Sequence, residues 1–442
     1  MADAASLLMI PCRRFSDVPS CVYGMSIIKI PPLPIFSMCS LVEQLTSQQV
    51  WEEYLAYRLQ KGRLNWREFE SLDEYVEMEE YHAIASRIIG GEGLSLPRKS
   101  VINKMGTGKK RIVYSFSPEE MQLLKVLSFL LYRYDDIFAP NCYAFRRGLR
   151  AHDAVLRIHK RVCDSALWAY KLDIHDYFNS ISVPLLLGKL EKILGEDRLL
   201  YRLFEQMLSE ERVVFNGEVV NDVHGVMAGV PTASFLANVY LSEMDHYFAE
   251  RGVIYARYSD DIIIFADTLE ELQQYKGIAL KFLEEHHLEV NPSKEHIYAP
   301  GEPYEFLGFR SLGREIGVSD AGVAKMKAKI SRKMRSILRW KQRHRVSNEV
   351  AMSRLIRHFN RKFFEESDDF SSLNWSRWYF PIINSVDGLR KIDHYLQHSI
   401  RVVATGRHSK SQYKISYERM TALGYKSLVH AYYQFRKQRD EA

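Results

Sequence analysis

The sequence predicts an α+β fold. Apolar runs of strand length end on turn residues or acids (Leu167 to Leu172, Val253 to Ala266), hairpin signals recur, and beyond Val318 the pattern is helical almost throughout. No internal repeat and no low-complexity segment interrupts this order.

Residues 1–40 show neither helical nor strand periodicity and hold Pro11, Pro19, Pro31, Pro32 and Pro34. Segment 1–45 is therefore read as a flexible N-terminal extension, with Met25 and Met38 as alternative starts and no signal-peptide pattern. Helical spacing of Trp51, Tyr54, Leu55, Arg58 and Leu59 follows, then a helix expected from Leu72 to Ile89 that stops at Gly90-Gly91. Val101 to Tyr114 reads as a basic hairpin turning at Gly106-Thr107-Gly108, and Ser117-Pro118-Glu119-Glu120 opens a helix with Ser at the cap. Asn216-Gly217 between Val213 and Val220 marks a tight hairpin. Ala233 to Phe248 and Leu269 to His287 read as helices, and Phe306 to Ile316 as a hairpin with Gly313 in its turn.

Composition sets the class. With 46% hydrophobic and 26% charged residues, the 442-residue chain can bury a core in two to four structural units. It has no apolar run near the ~18 residues of a membrane span. Cys12, Cys21, Cys39, Cys142 and Cys163 form no Cys-x-x-Cys pair, which speaks against zinc and a disulfide framework and for a reducing cytoplasm. Charge is uneven. Residues 321–442 hold 26 Lys/Arg against 10 Asp/Glu, and residues 1–320 hold 35 against 45. An acidic body joined to a basic helical region points to a polyanion partner.

The chemistry sits in two strings. In Arg257-Tyr258-Ser259-Asp260-Asp261-Ile262-Ile263-Ile264-Phe265, two acids interrupt apolar strands, where bare carboxylates are costly to bury. Tyr170-Lys171-Leu172-Asp173-Ile174-His175-Asp176-Tyr177-Phe178 likewise ends a strand on an acid. A solvated Asp-Asp turn is the plain alternative. If the strands are neighbours, however, Asp173 and Asp260 converge as hard oxygen ligands suited to Mg²⁺, with Asp261 as an accessory acid. Asp176 is expected at the surface or at a cap. His152, His175, His224 and His286-His287 lack ligand spacing and are read as structural or surface residues.

These strings resemble the reverse transcriptases, and the match runs in order through residues 95–315. Tyr258-Ser259-Asp260-Asp261 is similar to the family's Tyr-x-Asp-Asp motif, and Asp173 stands at its other metal-binding aspartate. The resemblance implies a right-hand polymerase. Its fingers would be 46–164 with a finger-like insertion at 186–221. The palm, with an antiparallel sheet, would be 165–185 and 222–317. A basic helical thumb and C-terminal region would be 318–442. It makes Asp173, Asp260 and Asp261 catalytic, with Asp173, the Ile174 backbone carbonyl and Asp260 holding two Mg²⁺ ions, or Mn²⁺. Phe178 takes the place of the ring that excludes a 2′-hydroxyl. Lys104 and Arg111 would hold the triphosphate, Gly229 would lie under the template and nucleotide, and Lys294 near the triphosphate as a proton donor. Arg146, in Asn141-Cys142-Tyr143-Ala144-Phe145-Arg146-Arg147-Gly148, would contact nucleic acid. Arg332, Arg335 and Arg339 would follow a phosphate backbone on a helix whose apolar stripe is Val323, Met326, Ile330, Met334, Ile337 and Leu338, with Trp340 available for stacking.

Met227-Ala228 stands where the family has proline-glutamine, and Ala233-Ser234 where it has serine-proline. Segment 374–433 is similar to the helical C-terminal region of bacterial defence-associated reverse transcriptases of the unknown groups. The implied partners are a dedicated non-coding RNA template, deoxynucleoside triphosphates and a cDNA product, without a membrane, and the implied role is antiphage defence. There is room for neither an RNase H nor a His-rich endonuclease domain. A retron or group II intron enzyme, a template-independent or protein-primed polymerase, and a non-catalytic RNA-binding scaffold stay open as alternatives, as does the oligomeric state.

Overall fold

The computed structural model describes residues 39–441 except 63, 65, 104–109, 366–373 and 407–414. Lys104, the Gly106-Thr107-Gly108 turn and most of the expected N-terminal extension lie outside the described residues. Residues 39–45 do not fit the expectation of a flexible extension. Leu41, Val42 and Leu45 are buried, and the Ser40 hydroxyl and Leu41 N–H both donate to Asp197 at 2.5 and 2.9 Å. Apolar burial plus a carboxylate anchor ties this segment to the folded body.

The described strands are β1 (Arg98–Asn103), β2 (Lys110–Ser115), β3 (Trp168–Asp173), β4 (Arg212–Phe215), β5 (Glu218–Asn221), β6 (Ile254–Tyr258), β7 (Asp261–Ala266), β8 (His296–Tyr298), β9 (Tyr304–Phe306), β10 (Phe309–Leu312) and β11 (Glu315–Val318). They form three sheets, in the orders β2-β1-β4-β5, β6-β7-β3-β8 and β11-β10-β9. Every pairing is antiparallel except β1 with β4, where Arg98 lies opposite Val214. The hairpin of segment 186–221 thus extends the sheet begun by the hairpin more than a hundred residues earlier. Asn216 and Gly217 take φ of 54° and 90° in its turn, as a tight hairpin requires.

The helix Pro118–Leu130 opens on Ser117 as expected, and the Glu120 side chain completes a capping box with it. Two expected helices are broken. The run Leu72–Ile89 divides into Trp66–Glu77 and Tyr81–Ile89 at Glu79, whose φ is 53°, and Ala233–Phe248 becomes Ala233–Tyr240 and Ser242–Glu250, broken at buried Leu241. Beyond β11 the described chain is helical, led by Asp320–His344, Asn348–Phe364 and Asp387–Thr405. One apolar core joins these helices to the central sheet, running from Ile263 and Phe265 through Phe306 and Phe309 to Ile330, Phe359 and Leu396. That shared core fixes the basic helices relative to the strands that carry the acids.

Candidate active site

In the sheet β6-β7-β3-β8 the middle strands β3 and β7 carry a buried run, with Leu172, Ile262, Ile263 and Ile264 each 0% exposed. β3 and β7 pair so that Asp173 lies directly opposite Asp261, and the Ile174 N–H donates to the Asp260 carbonyl at 3.0 Å. Ser259 turns the β6–β7 hairpin at φ 62°. Two distant stretches therefore deliver Asp173, Asp260 and Asp261 to one sheet end. Opposed residues of an antiparallel pair share a face, so Asp173, Lys171 and Asp261 project to the same side.

The electrostatics of the group are tense. Burial pushes the Asp260 carboxyl up, Asp173 adds to the rise, and Lys294 and Arg111 oppose it. Burial pushes Asp261 up to about 6, against Lys171 and with Asp173 and Asp260. Lys294 Nζ donates to Asp173 Oδ2 at 2.5 Å, and Lys171 Nζ lies 3.6 Å from Asp261 Oδ1. That Asp261 oxygen is buried without a hydrogen-bond partner. Among the described residues no group of three His, Cys, Asp or Glu side chains is spaced to enclose a metal ion. A Mg²⁺-type ion needs only one or two carboxylates, with water and substrate phosphates completing its shell. Crowded carboxylates with an orphaned oxygen fit that need. Ile174 adds a carbonyl: its bridge to Val290 is made by His175 N–H to Glu289 O and Asn291 N–H to Asp173 O, leaving its own oxygen out.

Around the acids stand Phe178, half-buried, Tyr258 and Phe145, with Phe145 edge-on to Phe178 at 6.1 Å between ring centroids. The loop 222–232 closes the other side. Gly229 at φ 109° leaves only 2.8 Å between a would-be Cβ and the Tyr114 carbonyl, and the Tyr114 N–H donates to Ala228 O at 2.8 Å. Gly225, which sequence reasoning passed over, is tighter still. A Cβ there would meet the Phe178 carbonyl at 2.3 Å. Arg111 is exposed on β2, near enough to act on Asp260. Asp176 is exposed and accepts from Asn179.

Arg146 corrects the expectation of a nucleic-acid contact. Its guanidinium donates to the carbonyls of Phe138, Ala139, Cys142 and Asp135 at 2.8–3.3 Å and lies 3.4 Å from the Asp135 carboxylate. With its side chain 10% exposed, it staples its own loop. Arg332, Arg335 and Arg339 are exposed on Asp320–His344, opposite the buried stripe Val323, Met326, Ile330, Met334 and Ile337, and the structure does not bring them to the acids. Trp340 is covered by Arg354, 4.0 Å over its ring. Arg257 was also missed. It is fully buried against Asp245, receives further support from Asn238, and reaches the Ser259 carbonyl at 3.5 Å, bracing the turn that carries Asp260. A lone arginine inside an apolar strand was the signal, because such a charge requires a buried partner.

Residues 102–311 match the family described as reverse transcriptase (RNA-dependent DNA polymerase). Among curated proteins the chain is similar to the Retron Ec86 reverse transcriptase of Escherichia coli, 22% identical over 190 residues that cover 42% of this chain and 55% of that protein. It is also similar to the Retron Mx65 reverse transcriptase of Myxococcus xanthus, 25% identical over 177 residues, 38% of this chain and 41% of that protein. The chain spans about half the length of the curated relatives it matches. Solved structures similar to it include apo telomerase from Candida tropicalis truncated from its C-terminal domain, at TM-score 0.40 and 15% identity over 54% of this chain and 60% of that one. Telomerase from Candida albicans in complex with a TWJ fragment of telomeric RNA matches at TM-score 0.40 and 13% identity, over 79% and 66%. Enzymes of the matched family depend on metal ions. Among the described residues no helix is long and apolar enough to cross a membrane.

Proposed function

Because the chain carries a reverse transcriptase domain over residues 102–311, similar to those of bacterial retron enzymes, we propose that it is an RNA-directed DNA polymerase. The observation that carries this is the meeting of Asp173, Asp260 and Asp261 at one sheet end, with Lys294 and Arg111 bearing on them. Asp173, Asp260 and the Ile174 carbonyl would hold divalent cations, two Mg²⁺ or Mn²⁺, which supply Lewis acidity for a 3′-hydroxyl attacking an α-phosphate and charge neutralisation for the departing diphosphate. Asp261 stands by as the accessory acid. Lys294 hands its proton toward the diphosphate, Arg111 with Lys104 grips the triphosphate, Gly229 lets the backbone approach the nucleotide, and Phe178 stands against the 2′ position of the sugar. The chain's part is positioning and fixed charge.

Deoxynucleoside triphosphates are the substrates, an RNA the template and cDNA the product, with Arg332, Arg335 and Arg339 along the duplex phosphates. In this reading 46–164 and 186–221 are fingers, 165–185 and 222–317 the palm, and 318–442 the thumb and C-terminal region. A dedicated non-coding RNA and a role in antiphage defence complete it, supported by the C-terminal resemblance. Purified protein given Mg²⁺, a primed RNA template and deoxynucleotides is expected to extend the primer, and the variant carrying Asp260→Ala and Asp261→Ala to extend nothing. Extension by that variant, or none by the wild type even with the nucleic acid that copurifies with it, overturns the proposal.

A further inference from the structure

Phe145 combines two features that packing alone does not require. Its φ is 60°, a backbone region that residues with a β-carbon seldom occupy, and the residue is 41% exposed. Local strain of this kind persists only where the surroundings over-determine it. Here they do. The loop is bound to the acid-bearing hairpin by Tyr143 N–H to Arg257 O and Arg257 N–H to Asn141 O, both 3.0 Å, and Asn238 holds the Ala144 carbonyl at 2.8 Å. On the other side of Phe145 the Arg146 guanidinium fastens four carbonyls of the preceding turn. A loop clamped on both sides of a strained residue delivers one side chain to one place. The Phe145 ring meets Phe178 edge to face, at 6.1 Å and 81°, and Tyr258 at 6.5 Å. It thereby touches the ring five residues after Asp173 and the ring two residues before Asp260.

We propose that Phe145 is a specificity-determining residue that sets the stance of Phe178, so that discrimination between deoxyribose and ribose belongs to the pair and not to Phe178 alone. The inference rests on the polymerase reading above. Phe178 is only half-buried, and its own carbonyl is pinned by the Val226 N–H at 2.9 Å. Its backbone is fixed and its ring stands between two others, buried Tyr177 next to it in the chain at 5.8 Å and Phe145 from a separate loop at 6.1 Å. Arg146 is then a positioning residue for the sugar pocket.

The test is the ratio of kcat/KM for a deoxynucleotide over its ribonucleotide, measured for wild type, Phe145→Gly, Phe145→Tyr, Phe178→Ala and the Phe145→Gly/Phe178→Ala double variant. Glycine accepts φ 60° without strain, so Phe145→Gly removes the ring without forcing the loop from its path, the relieved strain offsetting part of the chain entropy that glycine adds. It should lower the ratio by about tenfold or more, as expected when a sub-ångström-to-ångström displacement reaches a reacting geometry. The double variant should fall no further than Phe178→Ala, and Phe145→Tyr, which keeps the ring, should keep the ratio. An unchanged ratio in Phe145→Gly, with both sugars slowed alike, overturns the inference, as does an additive double variant. Wild type that incorporates neither sugar overturns the polymerase reading and this inference together, and the parallel wild-type assay distinguishes that outcome.

Discussion

Lys294 Nζ sits 2.5 Å from Asp173 Oδ2, so a lysine 121 residues away occupies one side of a carboxylate that also faces Asp260. It stands where the proposed reaction gathers negative charge. Lys294→Ala is expected to slow single-nucleotide extension by about 10²-fold, the usual contribution of a positioned proton donor, and Lys294→Arg to recover part of it. A change under twofold in quench-flow measurements would remove Lys294 from the mechanism.

Asp260 and Asp261 are held ionised against burial and against Asp173. Their folded-state pKa values lie above the ordinary carboxylate range, so each negative charge costs stability at neutral pH. Asp260→Asn and Asp261→Asn should therefore melt a few degrees higher than wild type, at roughly 2–4 °C per kcal/mol for a domain of this class, while Asp260→Asn loses extension. Millimolar Mg²⁺ should raise the wild-type melting temperature and leave Asp260→Asn unmoved. Equal Mg²⁺ shifts in both proteins would contradict the ligand assignment.

Gly225 has no space for a methyl group, with the Phe178 carbonyl 2.3 Å and the Ile181 nitrogen 3.0 Å from its would-be Cβ. Both obstacles are backbone. Gly225→Ala is expected to push Phe178 out of place, lowering kcat more than it raises KM, with a lower melting temperature. Wild-type kinetics in a folded Gly225→Ala protein would show that the contact can yield freely.

Arg257 and Asp245 are both fully buried and bind each other through paired hydrogen bonds. Removing one partner strands the other charge. Asp245→Asn or Arg257→Ala should lose about 3–5 kcal/mol in urea unfolding, whereas a paired apolar replacement should lose much less. Near-wild-type stability of either single variant would mean that the remaining charge finds another partner.

His358 is pushed down to about 4 by burial, with Lys333, Lys362 and Arg361 adding to it. The unfolded chain takes up that proton near pH 6.5, and the folded chain does so only near 4. Stability from this group is complete above the unfolded value and declines as pH falls from about 6.5 toward 4. Melting curves across that range should show an acid slope that His358→Gln flattens. The same slope in the variant would assign it to other groups.

The acids were legible because a strand that ends on carboxylates is chemically conspicuous, and the Asn216-Gly217 hairpin because its backbone demands those residues. The Arg146 role was not. An arginine beside an aromatic reads as a phosphate contact, and nothing in sequence shows that the Phe138, Ala139 and Cys142 carbonyls will turn to meet it. The helix breaks at Glu79 and Leu241 were invisible for a similar reason: neither residue is a breaker by type. Gly225 was hidden because the atom it must avoid belongs to Phe178, 47 positions earlier.

β3 draws its two neighbouring strands from far downstream, β7 beginning at Asp261 and β8 at His296. A growing polypeptide that has emerged only through Asp173 therefore holds that aspartate with no opposing strand to receive it. Such distant pairings close late, so during synthesis Asp173 waits for its opposing residue until Asp261 itself has been made.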